Sequence, residues 1–302
     1  MTNSTQFLES LSEALTSLSA KVSQSVVKID GGGRRGGTGV VWSSDGKVVT
    51  AAHVVSRSES VEVELRDGKK YDAKVLGTDL DNDVALLKIE TDNLVPIELG
   101  NSSGIKAGQL VLAFANALGG EPSVTSGVVT SAKRTLSGWG STLENAIVTD
   151  APLNPGYSGG PLVDASGRMV GLDVAYFNLR GIAVPIDSVK EVVQDLEKDG
   201  KVKRAFLGVY LDEVRLPEEL AGRTEVAQTS GLMVLSAEPG TPAKAAGLAM
   251  GDVILKLDGK PTETLHDLHL LLGRETVGKT LPLRLLRGEK PLDVQIVPSE
   301  QS

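Results

Sequence analysis

Hydrophobic residues near the start of the chain recur at the spacing of one helical face. They are Phe7, Leu8, Leu11, Leu15, Leu18 and Val22. Asn3 can cap this helix, with Gln6 standing three residues later as in a capping box. The pattern therefore predicts an amphipathic helix over residues 3–22 that packs on its own domain through its apolar face.

The following part of the chain carries many short apolar runs of the kind that form β-strands. Examples are residues 26–29, 61–65 and 111–114, and turn signals such as Asp67-Gly68 separate the runs. The pattern continues to about Pro185. Evenly spaced short strands of this kind are typical of a β-barrel or a β-sandwich.

A helical pattern over residues 186–201 closes the strand-rich part of the chain. Its apolar residues fall on one face, Asp187 lies near its start, and Gly200 is a stop signal. The chain beyond it reads as a second unit. We therefore expect one domain over residues 1–201 and another over residues 202–302.

The second unit mixes helix and strand signals. Thr241-Pro242 is a helix start, and Gly247 ends that helix. A strand pattern then runs to a turn at Asp258-Gly259. One more helix is marked by leucines at helical spacing, which are Leu265, Leu268, Leu271 and Leu272.

The composition excludes several classes of function. The chain of 302 residues is 40% hydrophobic and 23% charged, as in ordinary soluble globular proteins. Its formal net charge of −8 argues against nucleic acid as a partner, because phosphate binding needs a basic face. It contains no cysteine, so disulfides and thiolate metal sites are excluded.

The sequence predicts neither a membrane span nor a secretory signal. No apolar run reaches about 18 residues, and the chain does not begin with a basic segment followed by an apolar core. As the sequence stands, we expect a cytoplasmic protein. The alternative is a periplasmic or otherwise extracytoplasmic protein from which a leader has been removed.

The first candidate for chemistry is a serine held between glycines, in Gly156-Tyr157-Ser158-Gly159-Gly160. A nucleophilic serine needs a tight turn and bare backbone whose N–H groups can face a developing oxyanion. Glycine supplies both, because it has no Cβ. Taken alone, the motif suits a glycine-rich turn between two strands equally well.

Two further residues complete a hydrolytic set. His53 ends an apolar run, and Asp83 directly precedes the buried pattern at residues 84–87, which favours it over Asp79 and Asp81. A base must take the proton of a nucleophilic serine, and a carboxylate must hold the base in the right tautomer. The chain order His, Asp, Ser is that of the chymotrypsin arrangement.

The other two histidines lie in the last predicted helix. His266 and His269 are three residues apart, a spacing that could hold a metal ion. The sequence offers no third ligand for such a site. We therefore expect no metal and no cofactor, and we assign the role of base to His53.

These three motifs resemble those of the HtrA/Deg family of trypsin-like serine proteases, and the last third of the chain resembles that family's PDZ domain. The resemblance implies a mainly β protein, with a chymotrypsin-like double β-barrel protease domain followed by an α+β PDZ domain. His53 and Asp83 would come from the first barrel and Ser158 from the second. The backbone N–H groups of Gly156 and Ser158 would form the oxyanion hole.

The resemblance also implies the substrates. Leu153 and a wall of Ala175, Tyr176 and Phe177 would form an apolar specificity pocket, without an acid at the position expected for its base. An apolar pocket discriminates weakly, so we expect broad cleavage after small or medium aliphatic residues. Unfolded or damaged proteins would be the substrates.

Further expectations concern regulation and assembly. Residues 131–144 would form a long loop that is either a regulatory sensor, with Arg134 as its contact, or only a mobile surface loop. Phe7 would contribute to a homo-oligomer, with a trimer favoured. A peptide C-terminus would bind the PDZ domain through residues at the start of a strand and on a helix: Phe206, Leu207, Gly208, Val209 and Leu268.

Two functions remain open at this point. The first is an ATP-independent serine endopeptidase of protein quality control, which recruits or senses peptides through its PDZ domain. The second is a proteolytically silent or latent peptide-binding chaperone or adaptor. Its support is Tyr157, which replaces the asparagine usual in the family and whose bulk could alter the oxyanion turn at rest.

Overall fold

The computed structural model describes residues 3–31, 36–55, 58–138, 141–177, 180–217 and 228–300. The chain divides into two compact units, Met1–Val202 and Lys203–Ser302. Each unit has its own hydrophobic core. The two are therefore described separately.

The first unit contains a closed barrel of six antiparallel strands, in the order β1-β2-β3-β6-β5-β4. Its strands are β1 Val26–Asp30, β2 Gly37–Val41, β3 Lys47–Thr50, β4 Ser60–Glu64, β5 Lys70–Asp79 and β6 Val84–Ile89. Valine, isoleucine and leucine fill the barrel interior. β-Branched side chains suit this role because they pack well on a pleated surface.

A second closed barrel of six antiparallel strands follows, in the order β10-β11-β12-β9-β8-β7. Its strands are β7 Leu110–Ala115, β8 Ser123–Gly138, β9 Ser141–Thr149, β10 Pro161–Asp164, β11 Met169–Phe177 and β12 Arg180–Pro185. The two barrels share a large core that includes Val40, Leu86, Phe114 and Leu172. The predicted double-barrel fold is confirmed.

Three helices accompany the barrels: α1 Asn3–Val22, α2 Ala52–Val55 and α3 Ile186–Asp199. The end of α1 packs as predicted, with Leu18 against the shared core and Val22 only 2% exposed. Its start does not, because Phe7 is 66% and Leu8 62% exposed in the single chain. α3 buries its apolar face and ends at Gly200, whose φ of 71° is the left-handed conformation that glycine favours at a helix end.

The segment at residues 131–144 corrects a prediction. It was expected to be a long loop, but most of it extends the β8–β9 hairpin. Leu143 is buried and Leu136 packs beside it against the shared core, so the segment has apolar contacts that a surface loop lacks. Register shifts bend this hairpin, and positive φ angles at Lys133 and Asn145 fall within it.

The described residues of the second unit form antiparallel sheets and two short α-helices, α4 Pro242–Ala245 and α5 Leu265–Leu271. Its remaining strands are β13 Ala205–Phe206, β14 Val209–Arg215, β15 Ser230–Ala237, β16 Val253–Leu257, β17 Lys260–Pro261, β18 Leu281–Arg287, β19 Lys290–Ile296 and β20 Ser299–Glu300. Thr264 caps α5 in a reciprocal capping box with Asp267. The predicted turn at Asp258-Gly259 is present, with both residues at positive φ.

Candidate active site

His53 lies on α2, immediately after β3, and its side chain is 51% exposed. Its Nδ1 atom is 2.6 Å from Oδ2 of Asp83, and its backbone N–H donates to Oδ1 of Asp83 at 2.8 Å. Both carboxylate oxygens thus accept from the same residue. This arrangement fixes the imidazole orientation and directs its Nδ1 proton to the carboxylate.

Asp83 stands in the turn before β6 with a φ of 54°, which non-glycine residues rarely adopt. Its carbonyl accepts from the N–H of Ala52 at 3.1 Å, so its backbone also binds the start of α2. The rival Asp79 is occupied within its own turn. It accepts from the N–H of Asp81 at 3.2 Å and from Nδ2 of Asn82 at 2.7 Å.

The Asp83 pair changes the acidity of the histidine. The hydrogen bond to Asp83 raises the pKa of His53 above its usual value, and the lowering effect of burial does not cancel this rise. An imidazolium formed during a reaction would therefore be stabilised at this position. That is the electrostatic behaviour required of a base beside a nucleophilic serine.

Ser158 lies on the second barrel, in the turn before β10, and its hydroxyl donates to the carbonyl of Val174 on β11 at 3.4 Å. Its own carbonyl accepts from the N–H of Thr38 on β2 at 3.0 Å. This bond ties the serine turn to the first barrel. Gly159, with a φ of 85°, has no room for a Cβ because the carbonyl of Thr38 and the hydroxyl of Thr50 occupy that space.

The backbone before the serine is held in the same way. Gly156 has a φ of 100°, and its carbonyl accepts from Oγ1 of Thr38 at 2.6 Å. Within the described part of the chain, the N–H groups of Gly156 and Ser158 have no hydrogen-bond acceptor. Two donors without acceptors on the same turn can bind a negatively charged oxygen.

Tyr157 points into the second barrel and is 4% exposed. It belongs to that barrel's core, with Leu153 and Leu162. Burial raises the pKa of the phenol above its usual value. The bulk of this side chain is therefore accommodated within the barrel.

The residues predicted for the specificity pocket lie in different surroundings. Leu153 is 5% exposed and packs in the core of the second barrel, where it also fills the space beside Gly181. Ala175 is half-buried against the shared core. Tyr176 and Phe177 belong to β11, but their side chains lie outside the described residues.

The sequence reading passed over one acid in this region, Asp173 of β11. Its side chain is 0% exposed, directly behind the serine turn. An aspartate in the middle of the apolar run Gly171-Leu172-Asp173-Val174-Ala175 was the available signal. A lone acid in a buried strand pattern is costly, so it calls for an explanation.

Arg134, the predicted regulatory contact, is exposed on β8 opposite Ala146 of β9. It is therefore presented from a strand of the β8–β9 hairpin and not from a free loop. Its side chain lies on the surface of the second barrel.

The predicted peptide site of the second unit lies at a sheet edge. Phe206 ends β13, Gly208 has a φ of 72°, and Val209 begins β14, the first strand in the sheet order. Leu207 and Leu268 are 3% and 5% exposed and both pack in this unit's core. An exposed edge strand can accept an added peptide strand.

The described residues offer neither a metal-binding cluster nor a helix that could span a membrane. They contain no group of three or more histidine, cysteine, aspartate or glutamate residues that could hold a metal ion. His269 lies on α5, whereas the side chain of His266 is outside the described set. None of the described helices is both long enough and apolar enough to cross a membrane.

Two protein-family models match the chain. The trypsin-like peptidase domain matches residues 37–172, and the PDZ domain matches residues 205–297. The first match spans the positions of His53, Asp83 and Ser158. The second covers most of the second unit.

Curated relatives carry protease names. The putative serine protease HhoB of Synechocystis sp. is 34% identical over 275 residues, which cover 87% of this chain and 66% of the relative. A probable periplasmic serine endoprotease DegP-like from Pseudomonas putida W619 is 39% identical over 268 residues, covering 86% of this chain and 55% of the relative. The chain therefore spans between half and two thirds of the length of these relatives.

A solved structure matches almost end to end. The HtrA-type protease AlgW with a tripeptide superposes with a TM-score of 0.82 at 31% sequence identity. The match covers 94% of this chain and 96% of the AlgW chain. The agreement extends over both units and is accompanied by significant sequence identity.

Proposed function

We propose a function from one established premise: this chain belongs to the HtrA/Deg family of trypsin-like serine proteases, with a PDZ domain after the protease domain. The proposed function is that of an ATP-independent serine endopeptidase. Ser158 is its nucleophile, His53 its general base and acid, and Asp83 the residue that orients His53. The observation that carries this proposal is the pair of hydrogen bonds between His53 and Asp83, at 2.6 and 2.8 Å.

The proposed reaction proceeds through an acyl-enzyme. The Ser158 oxygen attacks the scissile carbonyl carbon while its proton passes to Nε2 of His53, and the carbonyl oxygen becomes an oxyanion facing the N–H groups of Gly156 and Ser158. The C–N bond then breaks, and the leaving amine takes the proton from His53. A water molecule then loses a proton to His53 and attacks the ester carbon. The bond to the Ser158 oxygen breaks, that oxygen takes the proton back from His53, and the second product leaves as a carboxylic acid.

Catalytic power in this scheme comes from two sources. Removal of one oxyanion donor costs about 2.7–4 kcal/mol in comparable enzymes. A positioned base contributes about 10²–10⁴-fold in rate. The raised pKa of His53 favours the protonated imidazole that must form when Ser158 loses its proton.

We propose unfolded or damaged proteins as substrates, cleaved after small or medium aliphatic residues. The support is the apolar character that the sequence gives to Leu153 and to Ala175, the residue after the Val174 that accepts from the Ser158 hydroxyl. One methylene in an apolar pocket is worth only about 1–3 kcal/mol. Such a pocket selects weakly, which suits a protease that removes varied misfolded chains.

We propose that the PDZ domain binds peptide C-termini and that their binding recruits substrates or regulates the protease. A peptide would add as a strand beside β14, with backbone N–H groups of the Leu207-Gly208 segment facing its carboxylate. The AlgW structures were solved with peptides, which is a property of that protein. It motivates the choice of peptide ligands for the present test.

Assembly and location are part of the same proposal. The exposed apolar start of α1, around Phe7 and Leu8, fits a contact between subunits of a homo-oligomer, with a trimer favoured. An extracytoplasmic location is favoured because curated relatives are named periplasmic proteases. The cytoplasmic location expected from the sequence receives no support from these relatives.

The alternative function, a silent peptide-binding chaperone, loses most of its support. It depended on the bulk of Tyr157 distorting the oxyanion turn. That side chain is buried in the barrel core, and the adjacent N–H groups of Gly156 and Ser158 have no acceptor among the described residues. The endopeptidase is therefore the function that this geometry supports best.

The test is digestion of β-casein by the wild type and by Ser158→Ala, with and without peptides that end in apolar residues. We expect cleavage by the wild type, faster with peptide, and none by the variant. The matched control is Ser166→Ala, which removes a hydroxyl from an exposed turn of the same barrel. It should cleave at the wild-type rate.

Each outcome decides a part of the proposal. Cleavage retained by Ser158→Ala would remove Ser158 as the nucleophile. Wild-type protein that never cleaves casein, yet suppresses its aggregation, would establish the chaperone instead. Cleavage that does not respond to any peptide would leave the protease in place and remove the PDZ domain as its regulator.

A further inference from the structure

The buried acid Asp173 lies at the centre of β11, inside the second barrel. It pairs across the sheet with Ala183 of β12, which belongs to the barrel's apolar core. The side chain of Asp173 is 0% exposed. The mechanism proposed above gives this residue no part, although it lies behind the nucleophile.

Asp173 has no hydrogen-bond partner for either carboxyl oxygen among the described residues. A carboxylate buried in this way loses its hydration without compensation, whereas the neutral acid loses far less. Burial accordingly raises the pKa of Asp173 well above its usual value. Burial therefore favours the protonated form of this carboxyl group in the folded protein.

The backbone of Asp173 is bonded directly to the serine turn. Its carbonyl accepts from the N–H of Gly159 at 2.7 Å, and its N–H donates to the carbonyl of Gly160 at 2.8 Å. These are the two residues after Ser158. The next residue, Val174, accepts the hydrogen bond from the Ser158 hydroxyl at 3.4 Å.

A β-bulge makes this segment sensitive to displacement. The register between β11 and β12 shifts between Asp173 and Ala175, so Val174 is the extra residue. A bulged residue lacks the regular ladder bonds that would hold its position. Movement of Asp173 would therefore move both the Val174 carbonyl and the two glycines that follow Ser158.

The residues placed near Asp173 are Tyr157, Ala183 and the two glycines after Ser158. Tyr157 belongs to the same barrel core as Ala183, and an ionised Asp173 contributes to raising the pKa of its phenol. Ala183 faces it from β12, and the bonded residues before β10 are glycines. Burial is the cause of the raised pKa of Asp173.

We propose that neutral Asp173 is a positioning residue for catalysis, which holds the backbone around Ser158 in place until it ionises. An ionised carboxylate would have to draw water or a donor into the barrel. That change would displace the bulge at Val174 and the Gly159-Gly160 bonds, and so misplace the nucleophile. Activity would then fall on the alkaline side with the titration of Asp173.

The first test measures kcat and KM for a short peptide substrate against pH. For the wild type, kcat should fall by about tenfold per pH unit above the pKa of one essential acid. Asp173→Asn keeps the shape and cannot ionise, so its kcat should remain level through that range, with KM unchanged within about twofold. Asp92→Asn makes the same change on an exposed bend and should keep the wild-type profile.

A second readout separates positioning from general stability. The rate at which a fluorophosphonate labels Ser158 should show the same alkaline fall in the wild type and none in Asp173→Asn. Thermal unfolding in the same buffers would identify any fall caused by denaturation. If Asp173 were only structural, the substitution would change the melting temperature and leave both pH profiles unaltered, which would overturn the proposal.

A spectroscopic signature tests the geometry without relying on activity. The absorbance at 295 nm reports phenol ionisation, and subtraction of the curve for Tyr157→Phe isolates Tyr157. In Asp173→Asn this phenol should ionise at a lower pH, because the neighbouring negative charge is gone. An unchanged Tyr157 titration would show that the two side chains are uncoupled and would overturn the inference.

The inference rests on the proposed endopeptidase activity, but the two can fail separately. Wild-type protein that is labelled by fluorophosphonate and never cleaves peptide would contradict the endopeptidase alone. Protein that is neither labelled nor active would overturn both. Cleavage with identical alkaline profiles in the wild type and Asp173→Asn would overturn only the role of Asp173.

Discussion

The two barrels place two aspartates near the active site in opposite environments. Asp83 of the first barrel is 21% exposed, and each of its carboxylate oxygens accepts a hydrogen bond from His53. Asp173 of the second barrel is 0% exposed and has no partner for its carboxyl group within the described residues. The first is suited to carry a charge and the second is suited to remain neutral.

The difference originates in backbone position. Asp83 occupies a turn at the rim of the barrel, where a φ of 54° directs its carboxylate to His53. Asp173 occupies the middle of a strand, where alternation points its side chain to the interior. Aspartate therefore has two electrostatic roles in this protein. Its role depends on whether it lies in a turn at the end of a strand or in the middle of a strand.

Asp83→Asn should have the largest effect, because it removes the carboxylate that pairs with His53. We expect kcat to fall by about 10⁴-fold with little change in KM, since an amide favours the wrong imidazole tautomer. Asp83 raises the pKa of His53. The acid limb of the residual activity should therefore move to lower pH, as a pH profile of kcat/KM would measure.

The matched variant for this prediction is Asp81→Asn, in the same acidic cluster two residues away. Its activity should stay within about twofold of the wild type, because the substitution keeps the backbone N–H of Asp81 that donates to Asp79. A loss as large in Asp81→Asn as in Asp83→Asn would contradict the assignment of the orienting acid. An acid limb that did not move would contradict the electrostatic reason given for it.

Asp173→Asn tests the neutral carboxyl group of the second barrel through its effect on the free energy of unfolding. The unfolded carboxyl titrates near 3.8, and burial raises the folded pKa well above that value. The stability that neutral Asp173 contributes is thus complete below the unfolded pKa and is lost as pH rises through the folded pKa. Between the two values, the unfolding free energy of the wild type should fall by about 1.4 kcal/mol per pH unit relative to the variant.

Denaturant unfolding of both proteins across that pH range measures the difference. Asp173→Asn should become the more stable protein as pH rises, and the gap should vanish at low pH. Asp92→Asn, on an exposed bend, should track the wild type throughout. A constant difference between Asp173→Asn and the wild type would show that the carboxyl does not titrate differently in the folded state.

Much of the fold could be predicted because local patterns and tertiary structure agree. Short apolar runs became barrel strands, the helix over residues 3–22 formed as expected, and Gly200 ended α3. The placement of Asp83 before a buried strand pattern led to the one acid of its cluster that contacts His53. These signals depend only on residues that are neighbours in the chain, so a single sequence is enough to detect them.

Other features depended on contacts between distant residues. The sequence of residues 131–144 predicts a loop, because its composition is polar and rich in glycine. That composition does not indicate that Leu143 is buried against the shared core in the β8–β9 hairpin. Asp173 is missed because the apolar run around it is short, and a single acid in such a run usually lies on an exposed face of the strand. A long amphipathic pattern reveals one buried face, whereas burial on two faces requires knowledge of the packing.

Arg134→Ala should have the smallest effect and tests whether the β8–β9 hairpin regulates the second barrel's half of the site. Because Arg134 is exposed, the unfolding free energy should change by no more than about 0.5 kcal/mol. Basal cleavage should be unchanged, and the stimulation by peptide should fall by about fivefold, the lower end of typical coupling between sites. Lys106→Ala, which removes an exposed charge from the same barrel, is the control. Equal stimulation in both variants would leave Arg134 as an ordinary surface residue of a strand, and the regulatory contact would have to be sought elsewhere on the hairpin.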